Sequence, residues 1–76
     1  MTFYKFVISK YLKSDSPEGD LARDMETDKD FPRKATTKRT ILNYLESCHA
    51  CDDAITVFLD LWKEYDNVRT KHIHQT

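Results

Sequence analysis

The sequence contains very few residues that interrupt helices, with one glycine and two prolines among 76 residues. No stretch alternates apolar and polar side chains for long enough to form a half-buried strand. The scarcity of glycine also excludes a glycine-rich loop of the kind that holds nucleotide phosphates. These absences predict an all-α chain, and its length allows one domain with one core.

Long apolar runs are also missing. No segment reaches the roughly 18 apolar residues that a membrane-spanning helix needs. The first twelve residues are interrupted by Lys5 and Lys10 and have no small-residue cleavage site, so a signal peptide is not expected. We therefore expect a cytoplasmic protein that makes no membrane contact and keeps its two cysteines reduced.

Neither sign of charge is in large excess, because the formal net charge is −1. The composition therefore does not indicate a strongly basic nucleic-acid-binding module. The charges are nevertheless segregated: residues 15–30 carry seven acids and two basic residues, whereas residues 33–39 carry four basic residues and no acid. We expect the acidic segment to be a solvated helix face. The alternative is a head-to-tail contact with the basic segment of another copy.

Aromatic residues, by contrast, are plentiful, with nine in the chain. Their spacing and the capping signals predict four helices. The first covers residues 2–12, and the second begins at Pro17 and ends before Phe31. The third is capped by Thr36 or Thr37 and ends near residue 47, and the fourth covers residues 52–68. The fourth has the widest apolar arc and is expected to be the central helix. Its aromatic stripe is interpreted as core rather than as a base-stacking platform.

Four groups of residues at fixed spacings carry a resemblance to a known family: Phe3-Tyr4, Phe31-Pro32, Tyr44-Leu45-Glu46, and Phe58 with Trp62 and Tyr65. Over about residues 2–66 the chain resembles the YozE family of small bacterial proteins. The resemblance implies a bundle of four to five helices similar to the sterile alpha motif (SAM-like) fold, with a long C-terminal helix. The family is of uncharacterised function, so the resemblance implies no active site. We expect a single SAM-like domain over residues 1–68 and a flexible tail over 69–76.

The segment Cys48-His49-Ala50-Cys51 has the spacing of a metal knuckle or a redox pair. A zinc site needs further ligands, and the spacing of His72 and His74 does not fit a zinc finger. A redox pair normally lies in a strand–helix context, which this sequence lacks. We expect Cys48 to be a small buried hydrophobe and Cys51 to lie in a loop or cap. No metal or cofactor is expected.

Two candidate interaction surfaces remain. The first is a basic loop formed by Arg33, Lys34, Lys38 and Arg39. Three interpretations of it stay open: a solvated loop that balances the acidic segment, a protein-binding patch, or a nucleic-acid contact. The second surface is the outer side of the first helix, where Tyr4 and Ile8, together with Leu12, can remain partly exposed.

No serine–histidine–acid arrangement can be assembled, because the three histidines fall in a connection and a tail that do not fix them. A bundle this small also has little room for a substrate pocket. We therefore expect no enzymatic activity and no small-molecule substrate. The sequence favours a non-catalytic protein–protein interaction module with an unknown protein partner. The alternative is a weak nucleic-acid-binding domain that uses the basic loop over residues 33–39.

Overall fold

The structure, a computed structural model, describes residues 1–74 and the side chains of residues 1–70. It has four helices: α1 (Phe3–Tyr11), α2 (Pro17–Thr27), α3 (Lys38–Ser47) and α4 (Asp52–His74). No strand occurs within residues 1–74. None of the helices in that range combines the length and the apolar character required to cross a bilayer. The predicted all-α class is confirmed.

Three helices begin where hydroxyl side chains can cap them. Thr2, Ser16 and Thr37 have extended backbones and accept a hydrogen bond from the backbone N–H three residues later, at 3.2, 3.1 and 3.4 Å. Each bond satisfies an N–H group that has no partner within its helix. Pro17 occupies the first position of α2, where its missing N–H costs nothing. The predicted helix starts are confirmed.

The end of α4 differs from the prediction, because the helix continues past Val68 to His74. No glycine or proline follows Val68 to stop it. Arg69 forms an ion pair with Asp66 at 2.6 Å, one turn earlier, and its guanidinium lies 4.8 Å from the Tyr65 ring centroid. Both contacts support the helical conformation beyond the core. The last two residues of the predicted flexible tail, 75 and 76, lie outside the described residues.

The core forms where α1 crosses α4. Phe3 is fully buried, and its ring centroid lies 5.4 Å from that of Phe58, 5.2 Å from Trp62 and 5.7 Å from Tyr65. These separations are typical of stabilising aromatic pairs. Helix α4 packs against α1, α2 and α3, whereas α3 packs against no other helix within residues 1–74, so α4 is central as predicted. The buried hydrophobic residues are Phe3, Phe6, Val7, Leu21, Ala22, Met25, Phe31, Ile41, Leu45, Phe58, Leu61, Trp62 and Tyr65.

Helix α2 lies very close to the α1–α2 connection at Gly19, the only glycine in the chain. A Cβ at this position would lie 1.9 Å from the carbonyl oxygen of Ser14 and 3.1 Å from that of Tyr11. The connection is also held by Arg23, whose Nη1 donates to the carbonyls of Leu12 and Ser14, each at 3.0 Å. Only a residue without a side chain permits this approach.

A polar cluster joins α1 to α4 beside the core. The Tyr11 hydroxyl lies 3.0 and 2.9 Å from the two carboxylate oxygens of Glu64, and Lys10 donates to one of the same oxygens. The Lys10 hydrogen bond lowers the pKa of Glu64, and the Tyr11 hydroxyl adds to this effect. Burial and the carboxylate together raise the pKa of Tyr11. The cluster therefore favours an ionised Glu64 in the folded protein.

The α3–α4 connection is a tight helix-ending turn. The N–H of Ala50 donates to the carbonyl of Leu45 at 3.0 Å, and the N–H of His49 donates to that of Glu46 at 3.1 Å. This pair of bonds defines a Schellman motif. His49 occupies its left-handed position with φ of 58°, a conformation that favours glycine. Cys51 caps α4, and its carbonyl accepts from the N–H of Ile55.

Candidate interaction surface

The structure brings one residue of the predicted basic loop onto the predicted patch of the first helix. The guanidinium of Arg33 lies 4.8 Å from the ring centroid of Tyr4. Arg33 Nη2 also donates to the carbonyl of Glu26, 3.0 Å away, near the C-terminal end of α2. Cations are favoured at that end of a helix, and a guanidinium over an aromatic ring is attracted by it. Arg33 therefore connects α1, α2 and the loop.

Beneath this contact the aromatic rings form a row. Phe31 is buried, and its ring centroid lies 6.0 Å from that of Tyr4 and 5.8 Å from that of Tyr44, the second pair in edge-to-face geometry. Pro32 follows immediately and restricts the backbone at this turn. Phe31 thus fills the space at this turn, and half-buried tyrosines from α1 and α3 lie on either side of it.

At the far end of the row, the Tyr44 hydroxyl donates to a carboxylate oxygen of Asp28, the C-cap residue that follows α2. The other carboxylate oxygen accepts from the N–H of Asp30 at 3.0 Å. The Tyr44 hydrogen bond is the main cause that lowers the pKa of Asp28, and the charge of Arg33 acts in the same direction. The same bond raises the pKa of Tyr44. This contact connects α3 to α2, although the two helices do not pack directly.

The other three basic residues are exposed. Lys34 lies in the loop, while Lys38 and Arg39 occupy the first turn of α3. None of them forms an ion pair among the described side chains. Lys38 and Arg39 lie at the positive end of the helix dipole, and the first turn of α3 contains no acid that would offset their charge. Each such placement typically costs about 0.3–1 kcal/mol.

The outer side of α1 carries a shallow depression of about 570 Å³. Tyr4 and Ile8 line it and are half-buried, as is Leu12 further along the helix. The rest of the lining consists of Met1, Lys5 and Ser9. The predicted patch therefore presents partly exposed apolar groups beside Arg33. Lys38 and Arg39 belong to a separate basic group, because α3 does not pack against α1.

A second hollow, of about 330 Å³, was not anticipated from the sequence; we call it the Met1 cleft. It lies between the start of α1 and the outer part of α4, and its lining residues are Met1, Phe6, Tyr65, Val68 and Arg69. The one sequence signal for it is the apolar arc of α4, to which Val68 belongs. In the structure 49% of Val68 is exposed, because no other helix of the described chain covers α4 at this point.

The cysteine prediction is half wrong. Cys48 is exposed rather than buried, because it follows the last turn of α3 on the solvent side. Cys51 lies at the cap of α4, as expected, and both thiols are free. No group of three or more metal-binding side chains lies together among the described residues. The side chains of His72 and His74 lie outside the described part of the chain.

A family model described as YozE SAM-like fold matches residues 2–67 of the chain. No curated protein and no solved structure matches. The matched range contains the four groups of residues on which the resemblance was based, and it covers α1, α2, α3 and most of α4.

Proposed function

The chain belongs to the YozE SAM-like family, and on that premise we propose that it is a non-catalytic protein–protein interaction module of the bacterial cytoplasm. The family is of uncharacterised function, and a SAM-like fold by itself does not select one. The proposal therefore depends on the surface. The observation that supports the proposal is the contact of Arg33 with Tyr4, beside the depression on α1 that Tyr4 and Ile8 line.

This surface combines the features of protein interfaces. Arginine and tyrosine are both enriched among residues that dominate binding energy, and Ile8 adds apolar area next to them. Arg33 is already oriented by Tyr4 and by the Glu26 carbonyl, so a partner would not have to order a free side chain. Preorganisation of this kind lowers the cost of association.

A second candidate function is supported by a different observation. Lys34, Lys38 and Arg39 are exposed, lack ion pairs among the described side chains and have no acid beside them in the first turn of α3. Two cations at the positive end of a helix reduce stability, so an anionic partner that relieves this cost is chemically reasonable. A weak nucleic-acid contact through these three residues is the alternative proposal.

The experiment that tests the proposal is affinity capture of the tagged chain from native cytoplasm, divided into nuclease-treated and untreated halves. A stoichiometric protein that survives nuclease supports the interaction module. Enrichment that disappears with nuclease contradicts it and favours the nucleic-acid alternative.

Two sets of variants locate the contact. Tyr4→Ser with Ile8→Ser should abolish capture of a protein partner, whereas Lys34→Glu with Lys38→Glu should abolish capture of nucleic acid. The second pair avoids Arg33, whose replacement would also remove its contacts with Tyr4 and α2. Lys13→Glu with Lys63→Glu, two exposed changes outside the basic loop, controls for the same change in net charge. If the Tyr4 and Ile8 changes leave every partner bound, this surface is not the contact.

A further inference from the structure

The two cysteines of the chain lie at one hollow. Cys48 follows the last turn of α3 and Cys51 precedes the first residue of α4, and both thiols are free and exposed. They line a hollow of about 220 Å³ between α2 and the α3–α4 connection, to which α2 contributes Asp24 and α4 contributes Ala54. We call it the thiol hollow. The function proposed above uses neither cysteine.

The backbone of the α3–α4 connection explains why both thiols reach the same hollow. Only His49 and Ala50 separate the two cysteines. His49 has a left-handed φ of 58°, and the N–H of Ala50 donates to the carbonyl of Leu45 at 3.0 Å, so the chain reverses direction within these two residues. In an extended chain, side chains three residues apart point to opposite faces. The turn therefore brings together two thiols that sequence spacing alone does not.

The position of Cys48 on α3 directs its thiol toward α2. Tyr44 lies four residues earlier, hence on the same face of the helix, and its hydroxyl reaches Asp28 at the end of α2. The Asp28 hydrogen bond is the largest cause that raises the pKa of Tyr44, and the Cys48 thiol acts in the same direction. The Cys48 thiol therefore lies near the tyrosine hydroxyl, at the rim of the thiol hollow.

The surroundings of the pair favour thiol–disulfide exchange over metal binding. A structural zinc ion needs four ligands, and no group of three or more metal-binding side chains lies together among the residues that the structure describes. Exchange needs only a second thiol within reach, which resolves the mixed disulfide that the first one forms. An accessible cysteine beside a resolving cysteine is typical of redox sensors, and such disulfides are transient in reducing compartments.

From these observations we infer that Cys48 and Cys51 form a reversible disulfide across the α3–α4 turn, with a low-molecular-weight disulfide as the oxidant. One cysteine thiolate attacks a sulfur of the oxidant, whose S–S bond breaks and releases one small thiolate. The other cysteine thiolate attacks the protein sulfur of this mixed disulfide and releases the second small thiolate. The two cysteine thiols thus lose two protons and two electrons, which convert the oxidant into two small thiols.

The bond would join the end of α3 to the start of α4, the one helix that α3 packs against within residues 1–74. It restricts the unfolded chain, so the oxidised protein should melt a few degrees above the reduced protein. The inference goes beyond the proposed function and does not depend on it, because neither Tyr4 nor Ile8 lines the thiol hollow.

The test equilibrates the full chain with mixtures of oxidised and reduced glutathione and then alkylates the remaining thiols. Trypsin cuts after Arg39 and Lys63, so both cysteines fall within one peptide, residues 40–63. The mass of this peptide distinguishes the internal disulfide, the mixed disulfide and the alkylated pair. We expect the folded protein to form the internal disulfide without accumulating the mixed one. In urea, the same conversion should require roughly tenfold more oxidised glutathione, because the turn no longer holds the thiols together.

Variants separate the effect of the fold from that of sequence spacing. Cys48→Ser and Cys51→Ser should each stop at the mixed disulfide with glutathione. Cys48→Ser with Ser47→Cys is the matched control, because it keeps two cysteines across the same connection, whereas position 47 does not line the thiol hollow. This control should require roughly tenfold more oxidised glutathione than the parent. The substituted positions are exposed, so every variant should keep the Tm of the reduced parent within a few degrees.

Three results would overturn the inference. The first is a mixed disulfide that persists in the parent, and the second is a glutathione equilibrium that is the same in the folded and the urea-denatured chain. The third is an internal disulfide that forms equally well in the matched control. Disulfide-linked dimers in place of the internal bond would also contradict it and would assign the cysteines to a contact between copies. The proposed function is tested separately, by capture under reducing conditions.

Discussion

Replacing Gly19 by alanine should destabilise the domain, although alanine is the better helix former. The new Cβ would lie 1.9 Å from the Ser14 carbonyl oxygen and 2.8 Å from its carbonyl carbon. Both are backbone atoms, so the α1–α2 connection must move by more than about 1 Å to reach an ordinary contact distance. Ser14 cannot move freely, because its carbonyl accepts from Arg23.

The magnitude follows from three contributions. Overpacking in a well-packed region costs about 1–3 kcal/mol. Loss of the Arg23 hydrogen bonds to the connection adds about 1.5–3 kcal/mol. The higher helix propensity of alanine relative to glycine offsets about 1 kcal/mol of this destabilisation. We therefore expect Gly19→Ala to lower the free energy of unfolding by about 1.5–5 kcal/mol, which in a domain of this size lowers Tm by at least about 6 °C.

The assay is urea and thermal denaturation followed by circular dichroism and Trp62 fluorescence. Glu26→Ala, at an exposed position of the same helix, controls for the presence of alanine and should have little effect. A double-mutant cycle with Arg23→Ala tests the mechanism, since Arg23→Ala should cost less in the Gly19→Ala background, where the connection is already displaced. If Gly19→Ala melts at or above the parent temperature, the close approach of α2 to Ser14 is wrong.

Three further predictions concern the core, the α3–α4 turn and pH. Trp62→Ala should cost about 3–5 kcal/mol in denaturant titrations, and a Tm within a few degrees of the parent would show that Trp62 is not core. His49→Gly should raise the free energy of unfolding by about 0.5–1 kcal/mol, because the His49 backbone has a φ of 58°, which is unfavourable for an L-residue. The matched control Asn43→Gly lies at a regular helical position of α3 and should lower the free energy of unfolding. Hydrogen bonds from Lys10 and Tyr44 lower the pKa values of Glu64 and Asp28, respectively, in the folded state. Their stabilisation is therefore complete above the unfolded pKa values, near pH 4, and is lost as pH falls through the lower folded values. Glu64→Gln should melt with a shallower acid dependence than the parent, and an unchanged dependence would contradict the Lys10–Glu64 contact.

Features that depend on neighbouring residues in the sequence were predicted correctly. The Ser16-Pro17 start of α2 and the Thr37 cap of α3 use side chains within three residues of the groups they satisfy. The aromatic stripe of α4 was assigned to the core because its residues share one helix face, and Trp62 is indeed only 7% exposed. Periodicity and capping chemistry are local, so the sequence carries them directly.

Most of the features that were missed depend on contacts between distant segments. The end of α4 is the exception, because the contacts of Arg69 with Asp66 and Tyr65 lie within about one turn of the same helix and were overlooked. Cys48 was assigned to the interior from residue type, whereas the direction in which α3 ends decides its exposure. No sequence pattern indicated that Arg33 would reach Tyr4, or that Val68 would remain uncovered. The sequence was thus sufficient to name the residues of the candidate surface, but it did not indicate which of these residues contact one another.

Helix α3 has a dynamic consequence that follows from how it is attached. Within the described part of the chain α4 is the one helix that α3 packs against. Tyr44 adds two contacts outside α4, a hydrogen bond to Asp28 and an edge-to-face contact with Phe31. Regions with few tertiary contacts open at lower free energy than the whole domain. The amides of α3 should therefore exchange with solvent while α1, α2 and α4 stay protected. Lys38 and Arg39 would move with α3, so their distance from Arg33 can change without global unfolding of the domain.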